Sequence, residues 1–565
     1  MNSQLQFRVL YRQFLFRLMD VEMLSASARG DASGLLGQFG ALLIFGSLGV
    51  TGGAVTIGRA IREMGTGAIW QTERLLISVT MLIVGVFALL SWDSTFPDRR
   101  DVLVLTPLPI RGRTLFAAKV AAVGSALGLV VAAWNSLGAI AWPMILAPPG
   151  SGIVGRVRFV GAFLVTLVAA PTFLYCAVLG VQGCAAQLPR RWYLRASSVL
   201  QIVVFVLFLG VLCFQSSANS VAELAAPEHR LAQAWLPTYW FMGLLNELSG
   251  AFPEGHAVMA PLAYRAVVGL AISILVAGTA FFLSYLRTLR KIVEEPDVVS
   301  SGRAGMWLPR FGTMQQTAVA QFVIRTLLRS RQHRAILALY LGGGFAISAI
   351  YWGGASQEMH LTGIDFMHRV NIPMLVASVL MLAASWLGTR TVFSLPLDMR
   401  AIWLFRVTPS VGGADSVAAV RRALLAFAVF PVVAVSAALL LWYWPWMPAV
   451  EHLLVLGLLG SALVDLSLRG FRKIPFTCTY LPGKSKVHLI FWFGIIPVVI
   501  FIHQGATVEQ DAMASPLRFG AVAATLAAVA FSARWVSKAS AKEGGPEIQF
   551  EESASDELIL LGLNR

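Results

Sequence analysis

The sequence predicts an all-α polytopic membrane protein with about twelve transmembrane helices, arranged as two six-helix repeats. Two observations predict this fold. Of the 565 residues, 57% are hydrophobic and only 13% are charged, and the mean hydropathy of +0.72 lies outside the range of soluble proteins. Apolar stretches of about 20 residues, long enough to cross roughly 30 Å of hydrocarbon, recur along the whole chain.

The predicted spans are apolar stretches of transmembrane length. We place them at 33–54, 75–93, 117–146, 158–184, 197–215, 264–286, 335–353, 372–391, 423–444, 450–468, 487–503 and 516–534. The first 30 residues are charged and amphipathic, without a short apolar core before a small-residue cleavage site. We therefore expect no removable signal peptide, and the first span is expected to act as the insertion signal.

Positively charged residues orient the predicted spans. Most of the 44 Lys and Arg lie before span 1, after the even-numbered spans and in the C-terminal tail. Because cationic loops beside a span resist translocation, both termini are expected in the cytosol. Arg59, Arg62 and Arg74 are the exception, since they fall in a predicted outer loop between spans 1 and 2. Basic loops beside anionic lipid explain the net charge of +15, so no nucleic-acid partner is expected.

The chain divides into two halves of similar layout. We predict a first half at 1–290, a cytosolic linker at 291–314, a second half at 315–540 and an acidic cytosolic tail at 541–565. Each half opens with a basic amphipathic segment, which is typical of a helix lying in the membrane surface. In the first half its apolar residues are Phe7, Leu10, Phe14, Leu18 and Val21. In the second half, 322–334 carries four arginines directly before span 7.

Two pairs of cytosolic loops also correspond between the halves. The loops after spans 2 and 8 each contain Thr-Pro and lead to a cation at the next span, Lys119 in the first half and Arg421 in the second. The loops after spans 4 and 10, at 188–195 and 481–488, share Leu-Pro followed by basic residues.

The second of these loops contains Gly483, Lys484 and Ser485, which suggest a phosphate-binding loop. Such a loop needs an earlier glycine at the position of Cys478, and it joins a strand to a helix. Here Pro482 removes a backbone N–H, and the segment joins two membrane spans. We expect no nucleotide site in this chain, so another polypeptide must hydrolyse any ATP that drives it.

The stretch DRRDVLVLTPLPIRGRTLFAAK, at 98–119, resembles the segment between the second and third spans of type-2 ABC exporter permeases. In that family this segment forms a coupling helix that sits in a groove of a cytosolic ATPase. The resemblance implies that the coupling residues are Asp98, Asp101, Leu103, Leu105, Pro107, Leu108, Pro109 and Arg111, with Phe405, Arg406 and Pro409 in the second half. The second half departs from the pattern, because Val411, Gly412 and Gly413 replace the Leu-Pro turn.

The resemblance implies a permease subunit of an ABC transporter, an exporter in a bacterial cytoplasmic (inner) membrane. A separate ATPase, expected as a dimer, would dock on the loops after spans 2 and 8. The chain itself is then not an enzyme and binds no cofactor, while ATP is used by the partner. Its other partners are membrane lipid and a transported substrate that the sequence does not identify. The family also has a short helix outside the membrane between the fifth and sixth spans, where this chain has 236–250.

Two alternatives stay open: an ion-coupled secondary transporter with six plus six helices, and a polytopic membrane enzyme. A proton-coupled or sodium-coupled carrier usually buries ionisable groups within its spans. The clearest here is Asp465 in span 10, and pairing with Arg469 one turn later is favoured over a proton site. Lys119, Arg390 and Arg518 lie at span ends, where they can snorkel. The scarcity of deep charges argues against the carrier.

The remaining polar and aromatic residues indicate no site. The acids and histidines of the outer loop between spans 7 and 8 are Glu358, His360, Asp365 and His368, and their spacing favours a solvated loop over a metal site. The four cysteines give neither a disulfide framework nor a metal-ligand spacing. Interfacial anchoring is expected for Trp192, Tyr193, Trp235, Tyr239, Trp240, Trp442, Tyr443, Trp444 and Trp446.

Overall fold

The computed structural model is helical throughout the part of the chain that it describes. The described residues are 3–19, 65–96, 108–148, 151–189, 230–294, 312–330, 369–393, 413–468, 475–476 and 487–543, with scattered residues of 40–63, 200–204 and 333–348. Within these ranges there is no β-strand, as the apolar composition predicts.

The chain forms two compact units. Unit 1 comprises Met1–Ser300 and Pro482–Trp492, and unit 2 comprises Ser301–Leu481 and Phe493–Arg565. The helices within Met1–Ser300 are α1 (Ser3–Met19), α2 (Thr66–Leu90), α3 (Trp92–Thr95), α4 (Gly112–Asn135), α5 (Gly138–Leu146), α6 (Gly152–Ala186), α7 (Arg230–Trp235), α8 (Pro237–Ser249) and α9 (His256–Glu294). The others are α10 (Met314–Arg329), α11 (Ile372–Phe393), α12 (Gly413–Leu424), α13 (Phe430–Tyr443), α14 (Trp446–Ser467), α15 (Val487–Met513) and α16 (Pro516–Glu543). The predicted domain bounds stay a prediction.

Among the described residues, 8 helices are long and apolar enough to cross a membrane. They are Thr66–Leu90, Gly112–Asn135, Gly152–Ala186, His256–Ser284, Ile372–Phe393, Val417–Tyr443, Trp446–Ser467 and Pro516–Ala539. Each coincides with a predicted span. Span 11 lies in α15, which is not among the 8, and spans 1, 5 and 7 are described only in part. The count of twelve and the cytosolic termini therefore stay predictions.

Unit 1 is built around α6, α8 and α9. Gly180 and Gly183 of α6 lie against α9, and a Cβ on Gly183 would come within 2.6 Å of the Ala280 Cβ. Such small residues let two helix backbones approach closely. The short helix α8 packs on α2, α6 and α9 and buries Phe241 and Leu245 completely. The segment predicted to lie outside the membrane is therefore part of the core of this unit.

The predicted third span is two helices. α4 ends at Asn135 and α5 begins at Gly138, with a turn at Ser136 and Leu137 between them. The Asn135 side chain donates to the carbonyl oxygen of Val131, so it competes with the backbone hydrogen bonds that would continue the helix. Leu137 N in turn donates to Ser47 Oγ at 3.4 Å. The long apolar stretch at 117–146 is therefore interrupted at 136–137 instead of forming one continuous helix.

Unit 2 has its core where α11, α13, α14 and α15 meet. Leu375, Val376, Leu440, Ala449 and Ile502 are buried there. Between α12 and α13 the backbone forms a π-helical turn at Leu425–Val429, in a span that is otherwise α-helical. Gly460 of α14 faces this turn, because a Cβ on it would come within 2.7 Å of Val429. The missing side chain lets α14 approach the widened turn.

An amphipathic helix packs on a span in each unit. In unit 1, α1 buries Leu10, Phe14 and Leu18 and packs on α4, which follows the first predicted coupling loop. In unit 2, α10 packs on α12, which follows the second such loop, and it buries Val323 among other residues. The helical character of both predicted amphipathic segments is confirmed, while their position at a membrane surface stays a prediction.

Candidate functional site

The predicted coupling loops are described only at one end. Asp98, Asp101, Leu103, Leu105, Pro107, Phe405, Arg406 and Pro409 lie outside the described residues. Leu108, Pro109 and Arg111 precede α4, and all three are exposed. Ile110 N donates to the Leu108 carbonyl oxygen at 2.7 Å, which makes a tight turn. At this end of the loop, an apolar side chain, a proline and a cation therefore lie on the protein surface.

A buried phenylalanine lies where each loop leaves its span. Phe96 is buried next to Phe281 of α9, with ring centroids 5.4 Å apart. Phe393, the last residue of α11, is buried next to Phe476, also at 5.4 Å. Phe476 N donates to the Phe393 carbonyl oxygen at 3.2 Å, and Phe476 has a positive φ of 66°, uncommon for a bulky residue. Both loops therefore begin at a phenylalanine that is held in place by buried aromatic packing.

Lys119 joins three elements at the mouth of α4. Its side chain is 1% exposed, and its Nζ donates to the Ser94 carbonyl oxygen at 2.6 Å. The same ammonium lies 4.7 Å from the ring centroid of Phe14 on α1, which is a cation–π distance. Sequence reasoning expected Lys119 to snorkel at a span end, but its side chain is enclosed. It links α1, α4 and the residues just before the coupling loop.

Arg421 holds the corresponding place in unit 2, with a different partner. Its Nε and Nη2 donate to the two carboxylate oxygens of Asp465 on α14, at 2.6 and 2.9 Å. Arg421 therefore contacts both oxygens of Asp465, while the predicted pairing with Arg469 stays a prediction because Arg469 lies outside the described residues. A bidentate pair of this kind fixes orientation as well as distance. The carboxylate serves an ion pair, as the favoured interpretation held, although with another arginine.

A second buried group in unit 2 was missed by the sequence reasoning. Ser378 of α11, His452 of α14 and Glu509 of α15 form a hydrogen-bonded chain. Ser378 Oγ lies 2.6 Å from His452 Nε2, and His452 Nδ1 lies 2.7 Å from Glu509 Oε1. His452 is 0% exposed, and the other two side chains are also buried.

This chain can hold and pass a proton between a carboxyl group and an imidazole. Its order, serine to histidine to carboxylate, is also that of a nucleophile with its base. Ser378 Oγ, however, donates its one proton to the Leu375 carbonyl oxygen at 2.8 Å, so toward His452 Nε2 it serves as an acceptor. The observed contacts therefore fit a structural or proton-holding role better than an activated serine.

Unit 1 also contains two buried ionisable side chains, and the sequence reasoning placed one of them, Arg74, in a loop. Glu73 and Arg74 lie within α2, which begins at Thr66 instead of at the predicted residue 75. Asn246 Nδ2 donates to Glu73 Oε2 at 3.0 Å, and Arg74 Nη1 donates to the Tyr239 hydroxyl at 2.5 Å. The predicted outer-loop position of Arg74 is therefore wrong. The statement that deep charges are few is also corrected, since these two residues join His452 and Glu509.

Two of the predicted interfacial aromatic residues are instead buried. Tyr239 is 0% exposed beneath Arg74, and Trp444 is 4% exposed beside His452. Trp235, Trp442 and Trp446 are largely exposed, so their predicted anchoring stays possible. Both the buried and the exposed aromatic residues lie near span ends, so their position in the sequence does not tell which of them are buried.

Metal and redox sites find no support in the part of the chain that is described. No group of three or more His, Cys, Asp or Glu side chains that could hold a metal occurs there. Cys176 and Cys184 are free thiols. The outer-loop residues Glu358, His360, Asp365 and His368 lie outside the described residues, as do Gly483, Lys484 and Ser485.

No protein-family model, no curated protein and no solved structure matches this chain.

Proposed function

We propose that this protein is the membrane-spanning permease subunit of an ABC transporter, an exporter energised by a separate cytosolic ATPase. One observation carries the proposal. In each unit the predicted coupling loop starts beside a buried phenylalanine, Phe96 or Phe393, and leads to a helix that an amphipathic helix covers. A loop that transmits force must be attached to a rigid part of the protein, and buried aromatic packing makes its attachment point rigid.

The proposed mechanism uses two docking loops and two units. An ATPase dimer docks under 98–113 and 398–410, closes on ATP, and tilts the two halves so that a path opens to the outer side. The chain hydrolyses no ATP and binds no cofactor in this mechanism. Its expected location is the cytoplasmic (inner) membrane of a bacterium, where its other partners are lipid and a transported substrate. The exposed side chains of Leu108 and Arg111 suit contact with a soluble partner.

Co-purification from the native membrane tests the proposal. The full-length chain is captured in mild detergent, and the accompanying proteins are identified by mass spectrometry. We expect an ABC ATPase in the wild-type sample and its loss when Pro107 and Leu108 are both replaced by Asp, with membrane insertion unchanged. Ile153→Asp is the matched control, because Ile153 is an exposed apolar residue at the start of α6. A wild-type sample that never contains an ATPase would overturn the proposal.

The buried ionisable groups favour one second candidate, an ion-coupled secondary transporter. His452 and Glu509 are in direct contact at 2.7 Å inside unit 2, and intramembrane ionisable residues often mark ion pathways. The test uses proteoliposomes that contain the purified chain and no ATPase. Under an imposed proton gradient, this candidate requires proton entry when a metabolite extract is added, and Glu509→Gln should abolish that entry. Proton entry equal to that of empty liposomes would exclude it.

A further inference from the structure

Glu73 and Asn246 form a buried polar contact between α2 and α8. Asn246 Nδ2 lies 3.0 Å from Glu73 Oε2 and 3.0 Å from the Met242 carbonyl oxygen. The Met242 carbonyl can only accept, so the Asn246 amide must face it with its NH₂ group. The Asn246 Oδ1 atom is therefore an acceptor, and its assignment does not depend on a choice between two amide orientations.

Two acceptors of this contact have no donor among the described residues. They are Glu73 Oε1 and Asn246 Oδ1, and they belong to the two side chains that the first hydrogen bond already joins. Glu73 is 0% exposed and Asn246 is 5% exposed, so bulk water does not serve them. Buried polar atoms are almost always hydrogen-bonded, and an unpaired one is costly. An ionised Glu73 would in addition be a buried charge.

The charged groups around Glu73 are directed elsewhere. Arg74 lies on the same helix, but it donates to Tyr239 and stacks over that ring at 4.7 Å. On α8, Glu247 contacts His256 at the start of α9 at 2.7 Å. On α6, Arg158 Nε donates to the Leu248 carbonyl oxygen at 2.8 Å. No ion pair of Glu73 occurs in the part of the chain that is described.

We propose that Glu73 holds a proton in the folded protein and that the α2–α8 contact is a proton-binding site. The proton makes Glu73 neutral and turns one of its oxygens into a donor. A carboxylic acid presents one donor and one acceptor, and an amide presents its oxygen and one of its two N–H groups along the same edge, so the two are complementary. With the proton in place, the Asn246 amide oxygen gains a donor that an ionised Glu73 cannot supply.

The bound proton has a mechanical consequence. It fastens α8, the short helix inside unit 1, to the first part of α2. Loss of the proton would leave a carboxylate in the core of the unit, opposite an amide oxygen that also lacks a donor. This inference goes beyond the proposed function, because it requires neither a docked ATPase nor a transported substrate.

Infrared difference spectroscopy on the full-length protein in lipid vesicles tests the proposal at neutral pH. A protonated carboxylic acid has a carbonyl stretch at higher frequency than the carboxylate bands, and this stretch shifts when water is exchanged for D₂O. We expect the wild-type spectrum to contain such a band and the Glu73→Gln spectrum to lack it. Glu247→Gln and Glu509→Gln are controls and should retain it, since they remove other acids of the two units.

A second variant keeps the test decisive. Asn246→Ala removes the hydrogen-bond partner but not the acid, so it should move the carbonyl band to higher frequency without abolishing it. Toward Asn246, Glu73→Gln presents the same donor and acceptor as the protonated acid, so we expect it to fold with a melting temperature close to that of the wild type. Loss of carboxylate bands in Glu73→Gln would overturn the proposal in favour of an ionised Glu73 with bound water or a cation. Failure of Glu73→Gln to fold would also overturn it.

Discussion

The ammonium group of Lys119 lies 2.6 Å from the carbonyl oxygen of Ser94, shortly before the first residue of the predicted coupling loop. The same group lies over the ring of Phe14. One side chain therefore ties an amphipathic helix, a span and the base of a loop together. Because both contacts depend on a single buried cation, its removal should affect them jointly.

We predict that Lys119→Met lowers the free energy of unfolding by about 1–3 kcal/mol, because the Ser94 carbonyl loses its charged donor inside the protein. A denaturant titration in detergent micelles measures the change. Arg113→Met is the matched control, since Arg113 is an exposed cation on the same helix and its loss should cost within about 0.5 kcal/mol. Equal losses for both variants would contradict the proposed role of Lys119.

For unit 2 we predict that Arg421→Met lowers the free energy of unfolding by more than Lys119→Met does. It leaves Asp465 buried without the cation that takes both of its oxygens, and such unpaired buried charges cost about 3–5 kcal/mol. The double variant Arg421→Met with Asp465→Leu should be more stable than the single variant, because it removes the stranded carboxylate. Unfolding titrations of the wild type, the two single variants and the double variant decide the matter. A double variant that loses the sum of both single losses would show that the two residues act independently.

Ser378→Ala should lower the free energy of unfolding by about 1–3 kcal/mol, because one nitrogen of the fully buried His452 loses its only described partner. Ser461→Ala on α14 is the control, since the Ser461 hydroxyl donates to the Leu458 carbonyl of its own helix. Thermal unfolding followed by circular dichroism compares the two. A loss in Ser461→Ala as large as in Ser378→Ala would refute the prediction.

Close packing of α6 on α9 predicts opposite outcomes for two glycines of α6. A Cβ on Gly183 would meet the Ala280 Cβ at 2.6 Å, so Gly183→Ala should cost about 1–3 kcal/mol through overpacking. Gly161 has open space at that position, and Gly161→Ala should stabilise the helix by about 0.5–1 kcal/mol. Melting temperatures of the purified variants test both signs, and a drop in Gly161→Ala would contradict the second.

The sequence predicted most of the helices because long apolar runs are local signals. It placed the start of α2 too late, since Glu73 and Arg74 lower the hydropathy of its first turns. Glu73 and Arg74 are buried because α8 packs over them, and the hydrophobic periodicity of the sequence does not predict that α8 lies in the core. The expected position of α8 outside the membrane rests on the family resemblance and stays a prediction.

The hydrogen-bond partners of buried side chains were harder to predict than the positions of the helices. For Asp465 the sequence offered Arg469, four residues later, whereas the described partner is Arg421, 44 residues earlier. Ser378, His452 and Glu509 come from three helices, and no spacing rule joins them. The predicted coupling residues rest on the family resemblance. Of these, the described residues place only Leu108, Pro109 and Arg111, all on the surface.

The π-helical turn at Leu425–Val429 determines how the helical turns before it are rotated relative to those after it. A π turn holds one residue more than an α turn, so it behaves as a one-residue insertion in a regular helix. Deleting Phe427 would restore an α-helix and rotate the preceding turns by about 100° relative to the following ones. Arg421 would then point away from Asp465. In this stretch, loss or gain of a single residue should be selected against more strongly than exchange of one apolar side chain for another.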